Sequence, residues 1–335
     1  MYGEYNTFTR CLLQDKFNLG ATLVVWLAEE KPAHHTISYN YFLNRQNGPQ
    51  SDNGLESMRI GDSKTSFTNA HCVVAFNRFE KCDGEIEIIS NKSCHNSYFQ
   101  NTFYNSDGGL TLRHGNDCLV DGNFFNGEFK KYSYGVRFIG QGHVAINNYF
   151  FQLGGAPNHV FRAPLTIVNG LVNTPINGYF QVRRAVVTDN IFVDCIAPNI
   201  RVGAFSKREG MTVVPDTISI RNNLFFTDQT IEGNIYEELS AAKNITIANN
   251  KICSNSLTAN VVGIAQLDNK NSKRDGFDWI KDGTGKIIAS VKQRAETIET
   301  IGVGADWVEP DILKEVSKRK YTYLSAKEVG PLWMK

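Results

Sequence analysis

Apolar and polar residues alternate in short runs along most of the chain, as in ISYNYF, CVVAFNRF, HVAINNYF, AVVTDNIF and ITIANNKI. Alternation of period two, carried by β-branched and aromatic residues, predicts strands with one buried face. Steps such as Asp83–Gly84, Asp107–Gly108 and Asp121–Gly122 punctuate the runs as turns. Amphipathic helix patterns are scarce before about residue 280.

The runs repeat. An Asn followed two residues later by an aromatic or aliphatic side chain recurs at Asn6, Asn40, Asn77, Asn101, Asn123, Asn148, Asn190, Asn223 and Asn250. The separations are 34, 37, 24, 22, 25, 42, 33 and 27 residues, the pattern of one unit of 22 to 25 with loops inserted into some copies. Such a unit predicts an all-β fold, a right-handed single-stranded parallel β-helix whose coils turn one set of side chains inward and stack. An Asn at the same bend of every coil can pair with the next coil through its amide, so a ladder accounts for the recurrence. A propeller or a sandwich would not place an Asn so regularly. Cys72 and Cys118 lie five residues before their Asn, and Cys11, Cys82 and Cys195 lie five after, which suits small buried thiols in the core.

The solenoid is expected to span residues 1–268. From Asn269 the composition shifts toward Lys, Asp and Gly, with a short helical pattern at Pro310–Lys318. Residues 269–335 are therefore expected to form a C-terminal capping segment over the open end, where a bare coil would expose apolar side chains and strand edges. At the other end the repeat is already running at Asn6. That end is expected to be covered by N-terminal coils absent here or by another chain.

Charge narrows the partners. Thirty-five basic and thirty-four acidic residues leave a formal net charge of +1, so no general nucleic-acid or membrane footprint exists and any ionic recognition is local. The longest apolar run, Ala21–Ala28, is too short to span a bilayer. The first ten residues show no charged and apolar signal peptide, and the seven cysteines form no CxxC pair.

The candidate chemistry sits on one face. In GEIEIISNK from Gly84, alternation is expected to turn Glu85 and Glu87 outward and Ile86 and Ile88 inward. Like charges this close call for a cation or a base between them. Arg113, Arg137 and Arg162 follow Glu87 at intervals of 26, 24 and 25 residues, coil-sized steps that predict a column. Paired acids followed by arginines suit a cation followed by a polyanion, because the planar guanidinium fork bonds carboxylates two at a time. Read conservatively, the acids are a solvated pair bridged by a basic side chain, and the arginines are ordinary exposed strand residues.

Five stretches resemble a known family: NGLESMRIG from Asn53, GEIEIISNKS from Gly84, LTLRHGN from Leu110, GVRFIG from Gly135 and FRAPLTIVNG from Phe161. They are similar to polysaccharide lyase family six, which contains alginate lyases and chondroitinase B. Weaker similarity runs from TLVVWL near Thr22 to KEVGPLW near the end. The resemblance implies a parallel β-helix that cleaves a uronic-acid polysaccharide, alginate foremost, by calcium-assisted β-elimination. It implies Lys92 as the Brønsted base, Arg113 at the departing oxygen, and Glu85, Glu87 and Asn53 as ligands of Ca2+. His114, Arg137 and Arg162 would hold the substrate, and the protein would be secreted or periplasmic. Family members usually begin with several further coils.

These residue types suit that reaction. The C5 proton of a uronate is poorly acidic while its carboxylate is charged, and calcium bound by oxygen ligands would stabilise the anion formed on proton removal. Lys92 has to shed its own proton before it can accept one. A guanidinium rarely gives up a proton, so Arg113 is expected to stabilise charge on O4 while water or His114 protonates it. The alternatives are a non-catalytic carbohydrate-binding β-helix, a dermatan- or chondroitin-type lyase, and an inverting hydrolase that would need two carboxylates straddling the bond.

Overall fold

The computed structural model describes residues 1–47, 53–156, 159–227, 235–254, 261–266, 278–281, 287–291 and 323–334. Their strands form three parallel sheets, visited in turn by successive coils, and one antiparallel pair, Asp278–Lys281 with Ile287–Val291. The first runs from Thr7–Thr9 to Lys243–Ala248, the second from Leu12–Gln14 to Ile264–Gln266, and the third from Leu23–Val25 to Tyr236–Glu238. The pairings between coils are parallel, and in the first and second sheets they run in step, as where Ser97 faces Val73 on one side and Leu119 on the other. This is the β-helix the repeat predicts.

The repeated Asn forms the bend between the first and second sheets. From Asn40 to Asn223 each Asn donates its backbone N–H to the side-chain oxygen of the next, at 2.9–3.0 Å, ending on Asn250. The side-chain amides repeat the link, so a fully buried polar column has its hydrogen bonds made. The residue before each Asn, for instance Phe76, Gln100 or Asp189, adopts positive φ and turns the corner. Asn6 is not part of this ladder. It precedes the first strand of its coil, one corner earlier, and donates its backbone N–H to His35 Nδ1. Cys11 occupies the ladder position there, donating to Asn40.

Two residues past each Asn, the aromatic side chain enters the core. Phe42, Phe79, Phe103, Phe125, Phe150, Phe192 and Phe225 stack with ring centroids 4.5–5.1 Å apart. Cys72, Cys82, Cys94, Cys118 and Cys195 are buried free thiols, and burial raises their pKa values and keeps them protonated.

The helical pattern at 310–318, with most of the segment expected to cap the solenoid, lies outside the described residues. The described tail, 323–334, packs along the flank of the coils. Leu324 donates its N–H to Thr102 Oγ1, Arg78 donates to the Leu324 carbonyl, and Gly330 N–H reaches the Tyr39 carbonyl.

Candidate active site

The residues singled out in the sequence gather on or beside the outer side of the third sheet, on strands Met58–Gly61, Glu87–Lys92, Gly109–His114, Val136–Phe138, Leu165–Val168 and Ile200–Ala204. The strand register differs from simple alternation. Glu85 precedes its strand, and the strand bulges: Glu87 pairs with Gly109 but Ile89 with Leu110, which leaves Ile88 as an extra residue, buried like Ile89. A second shift pairs Lys92 with His114, so Arg113 is the extra residue at the strand's end. Bulges re-aim side chains, and here one turns Arg113 out beside Lys92.

Asn91 fixes this end from inside the core. Its amide donates to the His114 carbonyl at 2.9 Å and the Ser93 carbonyl at 2.8 Å, and its oxygen accepts from Tyr98 Oη and Asn96 Nδ2. Gly115 lets the two coils meet. It sits at φ +86°, and a Cβ there would lie 2.2 Å from the Ser93 backbone.

The three-arginine column does not form as predicted. The register mates of Arg137 are Thr111 and Ser90 on one side and Thr166 and Arg201 on the other. Arg113 lies two residues further along its strand, and Arg162 precedes the strand Leu165–Val168. Arg137 is also buried, 3% exposed, and pairs with Glu87 at 2.6 Å, so it is no exposed arm for substrate. Neighbouring groups cover that row: Arg137 lies against the ring of Phe161, and Thr111 bonds Tyr134 Oη. What stays accessible is the end of the strands, where Lys92 and Arg113 are half-buried.

There the electrostatics are specific. Burial first, then the charges of Arg113 and Lys92, push His114 down to about 3, so it is a neutral imidazole at working pH. Burial also lowers Arg113 from its ordinary value, against the charge of Glu87, which acts to raise it.

The acids cluster nearby. Gly84 has no Cβ to strike the Leu55 carbonyl, 2.2 Å from where one would sit, so the segment holding Glu56 comes against Glu85. Burial, then the charges of Glu56 and Glu87, push Glu85 up to about 9. Glu85 Oε1 and Glu56 Oε2 are buried without a hydrogen-bond partner. Glu87 is turned away, bonded through one oxygen to Arg137 and through the other to Ser90 Oγ. Hence no three acidic, His or Cys side chains among the described residues already converge on one point. Two orphaned carboxylate oxygens beside a third carboxylate are nonetheless a donor set that fits a hard cation. Asn53 is exposed three residues before Glu56. Glu56 was missed in the sequence, although it stands inside the NGLESMRIG motif.

A second missed group is aromatic. Tyr179, in the segment after Leu165–Val168, lies against both Arg113 (4.3 Å to the ring centroid) and Arg208 (5.4 Å). It meets Phe205 edge-on at 5.7 Å, and Phe205 stacks on Phe161 at 5.1 Å. Arg162 lies over Tyr132 and Phe161 and donates to the Tyr132 carbonyl at 2.7 Å. Aromatic rings, not coil spacing, organise the arginines of this face.

Residues 1–292 match the profile of the family described as chondroitinase B. Among solved structures, the chain is similar to the PL6 family alginate lyase AlyGC, with 30% identity, a TM-score of 0.77, and coverage of 99% of this chain and 41% of that one. It is similar also to a mannuronic acid specific polysaccharide family 6 lyase from human gut microbiota, with 28% identity, a TM-score of 0.68, and coverage of 79% and 60%. The PL6 family polysaccharide lyase Pedsa3628 from Pseudopedobacter saltans, 23% identical with a TM-score of 0.67 and coverage of 99% and 71%, shares the fold. The chain thus spans less than two thirds of the length of the first two. No curated protein sequence matches it.

Proposed function

Because the chain belongs to the chondroitinase B family of polysaccharide lyases, we propose that it cleaves a uronic-acid polysaccharide by β-elimination, alginate before dermatan-type glycosaminoglycan. The observation that carries this reading is the strand end where Lys92 pairs in register with His114 and Arg113 bulges out beside them. The alginate and mannuronate lyases among the similar structures support the substrate class.

Lys92, in its neutral form, takes the C5 proton of a uronate. The electron pair left behind forms the C4=C5 double bond as the C4–O4 bond breaks. Arg113 steadies the charge that appears on O4. Its contacts to Gly178, Asn177 and His114 use at most three of its five N–H groups, which leaves donors for the oxygen. Water gives O4 its proton, and the hydroxide left takes the C5 proton from Lys92, which returns the lysine to its starting form; His114, a neutral imidazole, serves as a hydrogen-bonding partner of the sugar. Arg162 stands further along the same side, where another uronate carboxylate would lie. Arg137 acts through Glu87, which it holds.

A calcium ion would be held by Glu56, Glu85 and Glu87 with Asn53, and would draw charge from the substrate carboxylate so that the C5 proton becomes more acidic.

The test is a panel of alginate, polymannuronate, polyguluronate and dermatan sulfate, followed by ultraviolet absorbance of the unsaturated product, with added calcium and with chelator. Absorbance should rise on alginate-type substrates, fall in chelator and return with calcium. Full activity in excess chelator with no metal retained would remove calcium from the reading. Binding without product on every substrate would favour a carbohydrate-binding role.

A further inference from the structure

The segment 171–182 leaves the third sheet after Leu165–Val168 and reaches back to Arg113, whose strand lies two coils earlier. Two of its backbone carbonyls take the guanidinium: Arg113 Nη1 donates to Gly178 O at 2.8 Å and Nη2 to Asn177 O at 3.1 Å. The next residue, Tyr179, sets its ring 4.3 Å from the same guanidinium carbon. Arg208 and Phe205 brace that ring in turn. At its far end, Phe180 meets Phe67 edge-on at 5.1 Å, and Phe67 belongs to the loop after Met58–Gly61. At its start, Leu171 N–H donates to the Tyr179 carbonyl at 2.8 Å, so the segment is tied on either side of the carbonyls and ring that fix where Arg113 points.

We propose that Tyr179 is the positioning residue of Arg113, holding its guanidinium through the ring face so that the free N–H groups meet the departing oxygen. A guanidinium on a long stem has many rotamers, and a bulged position gives it little lateral packing. A ring face and two carbonyls remove that freedom before substrate arrives. The ring is the operative part and the hydroxyl is not. This inference rests on the β-elimination reading.

Four chains test it: wild type, Tyr179→Phe, Tyr179→Leu and Tyr179→Ala, compared by kcat, KM and thermal midpoint on the best polyuronide. Tyr179→Phe keeps the ring and should stay within about threefold of wild type. Tyr179→Leu keeps apolar bulk but loses the π face. It and Tyr179→Ala should lose roughly 10- to 100-fold in kcat, the scale of a misplaced catalytic group, with KM within about threefold. Because Tyr179 is half-buried, the thermal midpoint of Tyr179→Leu should stay near wild type. Leu and Ala chains with wild-type kcat would overturn the proposal. So would a Phe chain as slow as Ala, since the hydroxyl would then be the working group. An inactive wild type would instead sink the β-elimination reading.

Discussion

At the residue scale, the charged and titratable groups are set by what buries them. Glu87, a calcium ligand by family resemblance, is tied by Arg137 at 2.6 Å, and burial beside Glu56 and Glu87 pushes Glu85 up to about 9. His143 shows the same principle away from the site. Its Nδ1 accepts the Cys118 N–H and its Nε2–H donates to the Ile139 carbonyl, so the fold uses the neutral ring. Burial pushes it down to about 4. With its folded pKa depressed, His143 gives stability that is full above its unfolded value of about 6.5 and lost as pH falls toward 4. The gap between 6.5 and about 4 is worth roughly 3 kcal/mol. His114 adds to the same window. At the matching corner two coils away, Asn96 accepts the Cys72 N–H, so His143→Asn should keep the acceptor and lose the titration. Chemical denaturation at pH 4.5 and pH 7.5 should show a smaller stability difference for His143→Asn than for wild type. An equal difference would mean that His143 does not titrate between folded and unfolded states.

At the element scale, the bend between the first and second sheets repeats a single device, and its energy is cooperative. Asn123 accepts from Asn101, donates to Asn148 and donates to the Tyr98 carbonyl, all fully buried. Asn123→Ala should cost about 3 kcal/mol or more, because it leaves at least two buried partners without a hydrogen bond. Asn123→Asp should not rescue, since a carboxylate cannot donate. A urea midpoint that moves by less than about 1 kcal/mol equivalent in both variants would contradict the ladder's role. This device was legible in the sequence because every coil spends the same residue on the same bend, as Asn77, Asn101 and Asn123 do, and each is followed by the Phe that stacks inside. Asn6 misled for the opposite reason: an Asn–x–Phe spacing recurs by chance at a different corner. The strand carrying Lys92 was legible as a strand, but its bulges were not, since one extra residue changes the side-chain direction without changing composition. Tyr179 and Arg208 were illegible because they reach the site through loops, where no period connects them to Arg113.

At the scale of the whole molecule, the stacked coils set two adjacent strands so that an acidic cluster and a cationic strand end lie on one side of one sheet. Glu87 links them, since its charge acts on Arg113 as well as on Glu85. A polyuronide laid along that side would meet the guanidinium groups of Arg113 and Arg162, while a formal net charge of only +1 over the chain keeps attraction local. The central claim is that this side performs an elimination and that Lys92 takes the proton. The most direct measurement is single-turnover formation of ultraviolet-absorbing product by wild type, Lys92→Ala and Lys92→Arg, with oligouronide affinity measured on the same preparations. Wild type should form product, either variant nearly none, and affinity should stay within a few-fold throughout, because proton abstraction belongs to the transition state and a guanidinium cannot accept the proton. Substantial turnover by Lys92→Arg would contradict that claim, leaving Lys92 as an electrostatic clamp and the base elsewhere.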